Sequence, residues 1–501
     1  MHKLSSEKIG TGGNLNLEFI IKTLDTDLLS YKKSVSNAFE ASQSHIFRWW
    51  NELSKPEKTH LLHQIASIDF VFIRNLFQKK SPWRAQPVAS VTRQHLTPPN
   101  VIPVPTNIQE RSFALEARHI GEESLRNGEI AVLTVAGGDG TRLGSDRPKG
   151  MLSVTPISGK SIFQFHAEKI YAIQRNFGVT IPWYIMTSET NHTATRDFFH
   201  SHNFFGLDPK RVCFFIQRML PVIDAQGNLL MNSKSNIIMS PNGHGGAITA
   251  LKENNILGNL REYGIKNIFY HQVDNVLVKM VDPVFIGYHL KNHAEISLKS
   301  VKKLRPEEMV GVIGYINGKL HIVEYSELSR EDMYAQNGDG TLKYNAANIA
   351  IHLMNTSFLE QICQSGDMLP YHAAQKKVPY LNADGKMITP GENNAMKFEC
   401  FIFDILKQVK NGLVVEVLRE DEFSPLKNME GDNSPVTVKR DINNLFGRWL
   451  RNAGVSVPVD EQGNVKGFIE IGAGYAIDEE ELQSKIDTRL LFDGHLNLQS
   501  P

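Results

Sequence analysis

Between residues 136 and 150 the chain reads AGGDGTRLGSDRPKG, with glycines at 137, 138, 140 and 144, and with Arg142 and Lys149 as the cations placed to meet phosphates. Glycine puts no Cβ between backbone N–H groups and an approaching anion, so such a loop suits a phosphate chain. The spacing does not fit the dinucleotide fingerprint, because Gly138 and Gly140 are followed by Gly144 and not by a glycine at 143. The full Walker A pattern G-x-x-x-x-G-K-[ST] is absent as well, which disfavours a P-loop ATPase alongside a hydride-transfer enzyme. Transfer of a nucleotidyl group moves charge onto departing pyrophosphate and crowds more around the α-phosphorus. Two fixed cations suit those two positions, whereas a plain surface turn needs neither.

The loop needs an element to aim it. Immediately before it stands IAVLTV, residues 130–135, a short β-branched apolar run of the kind buried on both faces of a parallel sheet. Similar runs recur at PWYIMT, VCFFI and NIFYHQV, with helical stretches such as SIFQFHAEKIYAIQRN between them. That alternation predicts a doubly wound, mostly parallel α/β domain, in which ligands sit beyond the strand ends. Asp274 follows NIFYHQV directly, where a carboxylate can reach a Mg2+ ion on phosphates or simply form a turn.

Upstream, residues to about 95 read as helical. In SKPEKTHLLHQIASIDF, Ser54 and Glu57 fit a capping box, and Leu61, Leu62, Ile65 and Ile68 recur at helical spacing. TPPNVIPVP, residues 97–105, holds four prolines in nine residues and marks a crossing between units. We expect a helical N-terminal subdomain and linker over 1–105, a central domain over 106–428 and a small C-terminal domain over 429–501.

The chain of 501 residues balances 54 Lys and Arg against 54 Asp and Glu, which argues against a dedicated nucleic-acid or anionic-membrane binder. Cys213, Cys363 and Cys400 form no C-x-x-C pair and fit a reducing compartment. No apolar stretch reaches the roughly 18 residues of a membrane span and no signal-peptide core opens the chain, so a cytoplasmic location is expected.

AGGDGTRLG with PKGM resembles the signature of the eukaryotic-type UDP-N-acetylglucosamine pyrophosphorylases and, more distantly, of the UDP-glucose and UDP-sugar pyrophosphorylases. The likeness continues through WYIMTSETN, FFIQRMLP, GHGGAITAL, VDNVLVKMVDPVFIG, VEYSE, YNAANIAIH, MKFECFIFDIL and VLREDEFSPLKN, and spans about residues 40–475. It implies a nucleotide-diphospho-sugar transferase (Rossmann-like) fold that joins UTP to a sugar 1-phosphate with Mg2+. It also implies roles. Val135, Ala136, Gly137 and Gly138 would hold UTP, with Gln217 and Gly243 at the uracil. Arg142 would face the departing pyrophosphate, Lys149 and Lys397 the α-phosphate, and Asp274 the metal. His244, Glu324 and Asn348 would hold the sugar, and Lys427 the sugar phosphate.

Three positions depart from the N-acetylglucosamine pattern. His244 stands where that branch has Asn, Arg218 where Gly is usual, and Ala347 where Gly is frequent. VEYSE, NIA-x-H and EFSPLKN belong to the N-acetylhexosamine-like branch, so N-acetylglucosamine 1-phosphate is the expected acceptor and glucose or galactose 1-phosphate the alternative. A sensor that only binds nucleotide sugars has no need of every charge the transition state requires. Oligomeric state has no signature in the sequence.

Overall fold

The computed structural model describes residues 16–80, 96–138, 140–365 and 369–499, apart from the side chains of Thr141 and Arg142. It divides into two units. The described residues of Met1–Val88 form one unit with Met219–Gly243 and Pro370–Cys400, and the rest of the chain forms the other.

In the first unit the helix Lys55–Ser67 starts at the expected capping box, where the Ser54 N–H donates to the Glu57 carboxylate at 2.8 Å. Leu61, Leu62 and Ile65 lie on its buried face. Trp50 is fully buried and its indole N–H donates to Thr23 Oγ1 at 2.9 Å. A three-stranded antiparallel sheet completes this unit, with Ala395–Cys400 between Tyr371–Lys376 and Ile223–Asp224.

The second unit is built on a sheet of eleven strands. In chain order these are β1 (Leu96–Thr97), β2 (Val101–Ile102), β3 (Ile130–Val135), β4 (Trp183–Thr187), β5 (Val212–Ile216), β6 (Asn267–Gln272), β7 (Ile296–Lys302), β8 (Val312–Ile316), β9 (Lys319–Val323), β10 (Ala346–Asn355) and β11 (Gly412–Glu416). The continuous path runs β2-β11-β7-β10-β6-β3-β4-β5. Every neighbouring pair on it is parallel except the two that β10 makes, with β6 and with β7. The prolines at 98, 99, 103 and 105 keep β1 and β2 to two residues each, and β2 ends the path.

Strand order reverses at β3: β4 and β5 follow on one side, whereas β6 lies on the other. Such a switch point opens a crevice beyond the strand ends. The four predicted strands form where expected, each nearly continuous in burial except β5. The helix Ile162–Phe177 is capped by Ser161, which accepts from the Gln164 N–H, and ends at Gly178 with φ +66°. Ile170 and Ile173 from this helix join Val132, Trp183, Ile185 and Phe199 in one core. The C-terminal helix Pro435–Asn452 adds Val438, Ile442, Leu445 and Phe446 to that same core.

Candidate active site

The ends of β3 and β6 lie side by side, and the Val273 N–H donates to the Val135 carbonyl at 3.0 Å. The next residues of β3 are held from the other side, where Ala136 donates to Met186 O at 2.8 Å and Asn191 Nδ2 donates to Ala136 O at 3.1 Å. Gln217, one residue past β5, is buried at 5% exposure. Its amide lies so close to Gly137 that a Cβ there would stand 2.5 Å from Nε2. A side chain at 137 would push the Gln217 amide aside, whereas the backbone angle there would accept one. Val135–Gly138 and Gln217 thus gather at one edge of three neighbouring strands.

The expected cation and carboxylate meet. Lys149 Nζ lies 3.3 Å from Asp274 Oδ2, with side-chain exposures of 18% and 12%. A short 3-10 turn, Lys149–Met151, presents the lysine, and the turn after β6 presents the aspartate. Arg142 sits in the 3-10 turn Gly140–Leu143, and its side chain lies outside the described residues.

Beyond Asp274 opens a cavity of about 1010 Å³. Asp274, His244, Glu324, Asn348 and Lys427 all line it, so five expected site residues share one space. The Asp274 carbonyl accepts from the Leu426 N–H at 2.9 Å, which ties the turn after β6 to the segment carrying Lys427. Asn275 reinforces that tie, donating to Glu422 O at 2.8 Å and accepting from Ser424 N at 3.0 Å.

His244 is neutral, because burial pushes its imidazole down to about 4 against a weaker opposing pull from Asp404. The Ile402 N–H donates to its Nδ1 at 3.2 Å, which leaves the proton on Nε2 as a donor. Phe401 and Phe403 flank the ring at 5.5 and 5.6 Å. Glu324 is pushed up from the ordinary carboxylate range by burial and by Glu327, with Lys427 pulling the other way.

Asn348 owes its direction to a distortion. Across β7 and β10 the register passes from Leu298↔His352 to Ser300↔Asn348, two residues on one strand against four on the other. Ala350 absorbs the excess in the left-handed region at φ +56°, and its N–H donates to Asn348 Oδ1 at 3.1 Å. Bulges commonly re-aim a side chain beside a functional site in this way. His352 stands behind Asn348, stacked on Tyr270 at 5.3 Å, and burial pushes it down to about 3. No role for it is expected from the sequence, although it is the His of NIA-x-H.

Gly243 and Lys397 belong to the first unit. Gly243 has φ +83°, and a Cβ on it would stand 2.5 Å from the Cys400 carbonyl. Lys397 lies on the central strand of that unit's sheet, opposite Ala374. Among the described residues no three His, Cys, Asp or Glu side chains gather as a metal cage, and no helix is long and apolar enough to cross a membrane.

Residues 87–440 match the family model described as UTP--glucose-1-phosphate uridylyltransferase. The UDP-N-acetylglucosamine pyrophosphorylase of Saccharomyces cerevisiae is 38% identical over 441 residues, covering 83% of this chain and 91% of that protein. The human UDP-N-acetylhexosamine pyrophosphorylase-like protein 1 is 37% identical over 433 residues, covering 83% and 84% of the two chains. The crystal structure of the uridine diphosphate N-acetylglucosamine pyrophosphorylase of Trypanosoma brucei superposes with a TM-score of 0.77 at 26% identity, covering 91% of this chain and 94% of that one.

Proposed function

Since the chain belongs to the UTP--glucose-1-phosphate uridylyltransferase family, we propose that it converts UTP and N-acetylglucosamine 1-phosphate to UDP-N-acetylglucosamine and pyrophosphate. The observation that carries this reading is the Lys149–Asp274 pair at the switch point, opening onto a cavity that also holds His244, Glu324, Asn348 and Lys427.

The acceptor phosphate is already an anion at neutral pH, so one of its oxygens attacks the α-phosphorus of UTP without a general base. A bond forms from that oxygen to the α-phosphorus as the bond to the β-phosphate oxygen breaks, and pyrophosphate departs. The chain's part is to align the two phosphates and to neutralise charge. Lys149 faces the α-phosphate, Arg142 the departing pyrophosphate, and Lys427 the remaining charge. The Val135–Gly138 segment and Gln217 hold the nucleotide. Glu324 and Asn348 hold the sugar, with Asn348 aimed by the Ala350 bulge.

The reaction needs a divalent cation, and we assign it as Mg2+ held by Asp274. A single carboxylate fits that ion, which keeps waters and substrate phosphates as its other ligands and seldom takes an all-protein cage. When bound it would neutralise charge between the two substrates' phosphates. We further assign the enzyme to the cytoplasm.

One observation favours a wider acceptor range. His244 offers a single N–H donor where an amide would offer both a donor and an acceptor. Glucose or galactose 1-phosphate is therefore expected as a slower substrate. The deciding experiment supplies UTP and Mg2+ with a panel of sugar 1-phosphates and follows pyrophosphate. Fastest release with N-acetylglucosamine 1-phosphate supports the reading. A preference for glucose 1-phosphate would overturn the acceptor, and no release with any sugar would overturn the reaction.

A further inference from the structure

The turn that carries Asp274 is gripped from behind by the helix Ile162–Phe177. Lys169 Nζ donates to the Val276 carbonyl at 2.9 Å and to the Val278 carbonyl at 3.0 Å, two and four residues past Asp274. One turn earlier on the same helix, His166 Nε2 donates to the Val273 carbonyl at 3.2 Å, just before Asp274. The aspartate therefore stands in a stretch of backbone whose carbonyls on both sides are held by one helix face.

Packing alone does not call for a cation here. The ammonium lies 4.4 Å from the centre of the Phe165 ring, and among the described residues no carboxylate comes within 4.0 Å of it. Burial pushes it down to about 7, with only the more distant Glu422 pulling upward. A methionine would fill the same volume without desolvating a charge. What the ammonium adds is two charge-assisted hydrogen bonds to carbonyls of a turn whose other ties run to the Glu422–Leu426 segment.

We propose that Lys169 is a positioning residue: through the carbonyls of Val276 and Val278 it holds the backbone that flanks Asp274, so that the Asp274 carboxylate faces Lys149 and the substrate phosphates. The proposal rests on the reading of Asp274 as the residue that meets the metal and the phosphates. Groups that orient a metal-side ligand in this way typically change affinity or activity by about 10- to 100-fold when removed.

Three variants test it: Lys169→Met, which removes the cation, Lys169→Arg, which keeps it, and Phe165→Leu, which loosens the packing beneath it. Two measurements are made without turnover: hydrogen exchange of the Gln272–Val278 segment, and calorimetric binding of UTP with Mg2+ in the absence of sugar phosphate. Lys169→Met is expected to exchange faster in that segment and to bind UTP with Mg2+ about tenfold more weakly, while binding UTP alone as wild type does. Lys169→Arg is expected to restore most of both, and Phe165→Leu to lose thermal stability without either change. In an Asp274→Asn background, Lys169→Met should cost no further turnover, because the two act through one carboxylate. Unchanged exchange in Lys169→Met, or the same binding defect in Phe165→Leu, would overturn the proposal. Faster exchange with unchanged binding would overturn the role of Asp274 and leave the grip on the backbone standing.

Discussion

Replacing Lys299 with methionine should expose how much of the site's frame depends on one buried cation. Its side chain is fully buried, and Nζ lies 2.7 Å from Asp282 Oδ2 and 2.7 Å from both Glu422 oxygens. Lys279 is the other cation nearby, 3.6 Å from Asp282. Burial opposes ionisation of Asp282, yet Lys279 and Lys299 hold its carboxyl well below the usual range. Burial pushes Glu422 up, and Lys299 is the main restraint on that rise. Lys299→Met leaves two buried carboxylates facing each other, with Lys279 close to Asp282 and a weaker influence on Glu422. Breaking a buried pair from one side costs about 3 to 5 kcal/mol, which lowers Tm by an amount on the order of 5 °C for a protein of this size. The sign with pH follows from the two shifts. Asp282, lowered, contributes stability above its unfolded pKa that is lost as pH falls through its folded value. Glu422, raised, contributes stability below its unfolded pKa that is lost as pH rises through its folded value. Without Lys299 the Glu422 carboxyl rises further, so the variant's deficit should shrink as pH falls from about 8 toward about 5. Adding Glu422→Gln should recover part of the loss at the higher pH. Scanning calorimetry across that range is the assay, and a Tm within about 1 °C of wild type at every pH would refute the reasoning.

Lys149→Ala and Arg142→Ala should each lower kcat by about 10²-fold or more with a smaller change in KM, as steady-state kinetics would show. Asp274→Asn should raise the Mg2+ concentration needed for half-maximal rate, because an amide is a weaker ligand for a hard cation. A titration of rate against Mg2+ reads this directly. His244→Asn should move the ratio of kcat/KM for N-acetylglucosamine 1-phosphate over glucose 1-phosphate by about tenfold toward the N-acetylated sugar. Because the wild-type imidazole titrates near 4, that ratio should stay flat in wild type from about pH 5.5 to about pH 8.5.

Where chemistry is written locally, the sequence was informative. IAVLTV becomes β3 residue for residue, and Ser161 caps the helix that its spacing announces. The loop after β3 and the aspartate after β6 arrive at one edge because parallel strands deliver their ends together. Other features depend on partners far along the chain. Lys299 and Glu422 meet across 123 positions, and no local pattern marks either as buried. Strand direction is equally silent in a run of apolar residues, so the reversal of β10 could not be read from YNAANIAIH. Ala350 gives no sign of its left-handed backbone, since alanine has no preference for that region.

The reversed strand also bears on how such a catalyst can change its acceptor over time. Parallel strands reach the substrate edge only with their final residues, each leading into a crossover that must return to the sheet. β10 runs the other way and reaches that edge with its opening residues, Asn348 among them. The chain before it, from Ser329 to Tyr344, contains one short helix, Arg330–Tyr334, and one isolated β-bridge, Gln336 to Leu342, joined by turns and bends. On the proposed assignment, insertions or substitutions there would reshape the sugar side without disturbing β3, β4 and β5, which would carry the nucleotide side. Acceptor choice and nucleotide choice would then be separately heritable traits of a single sheet.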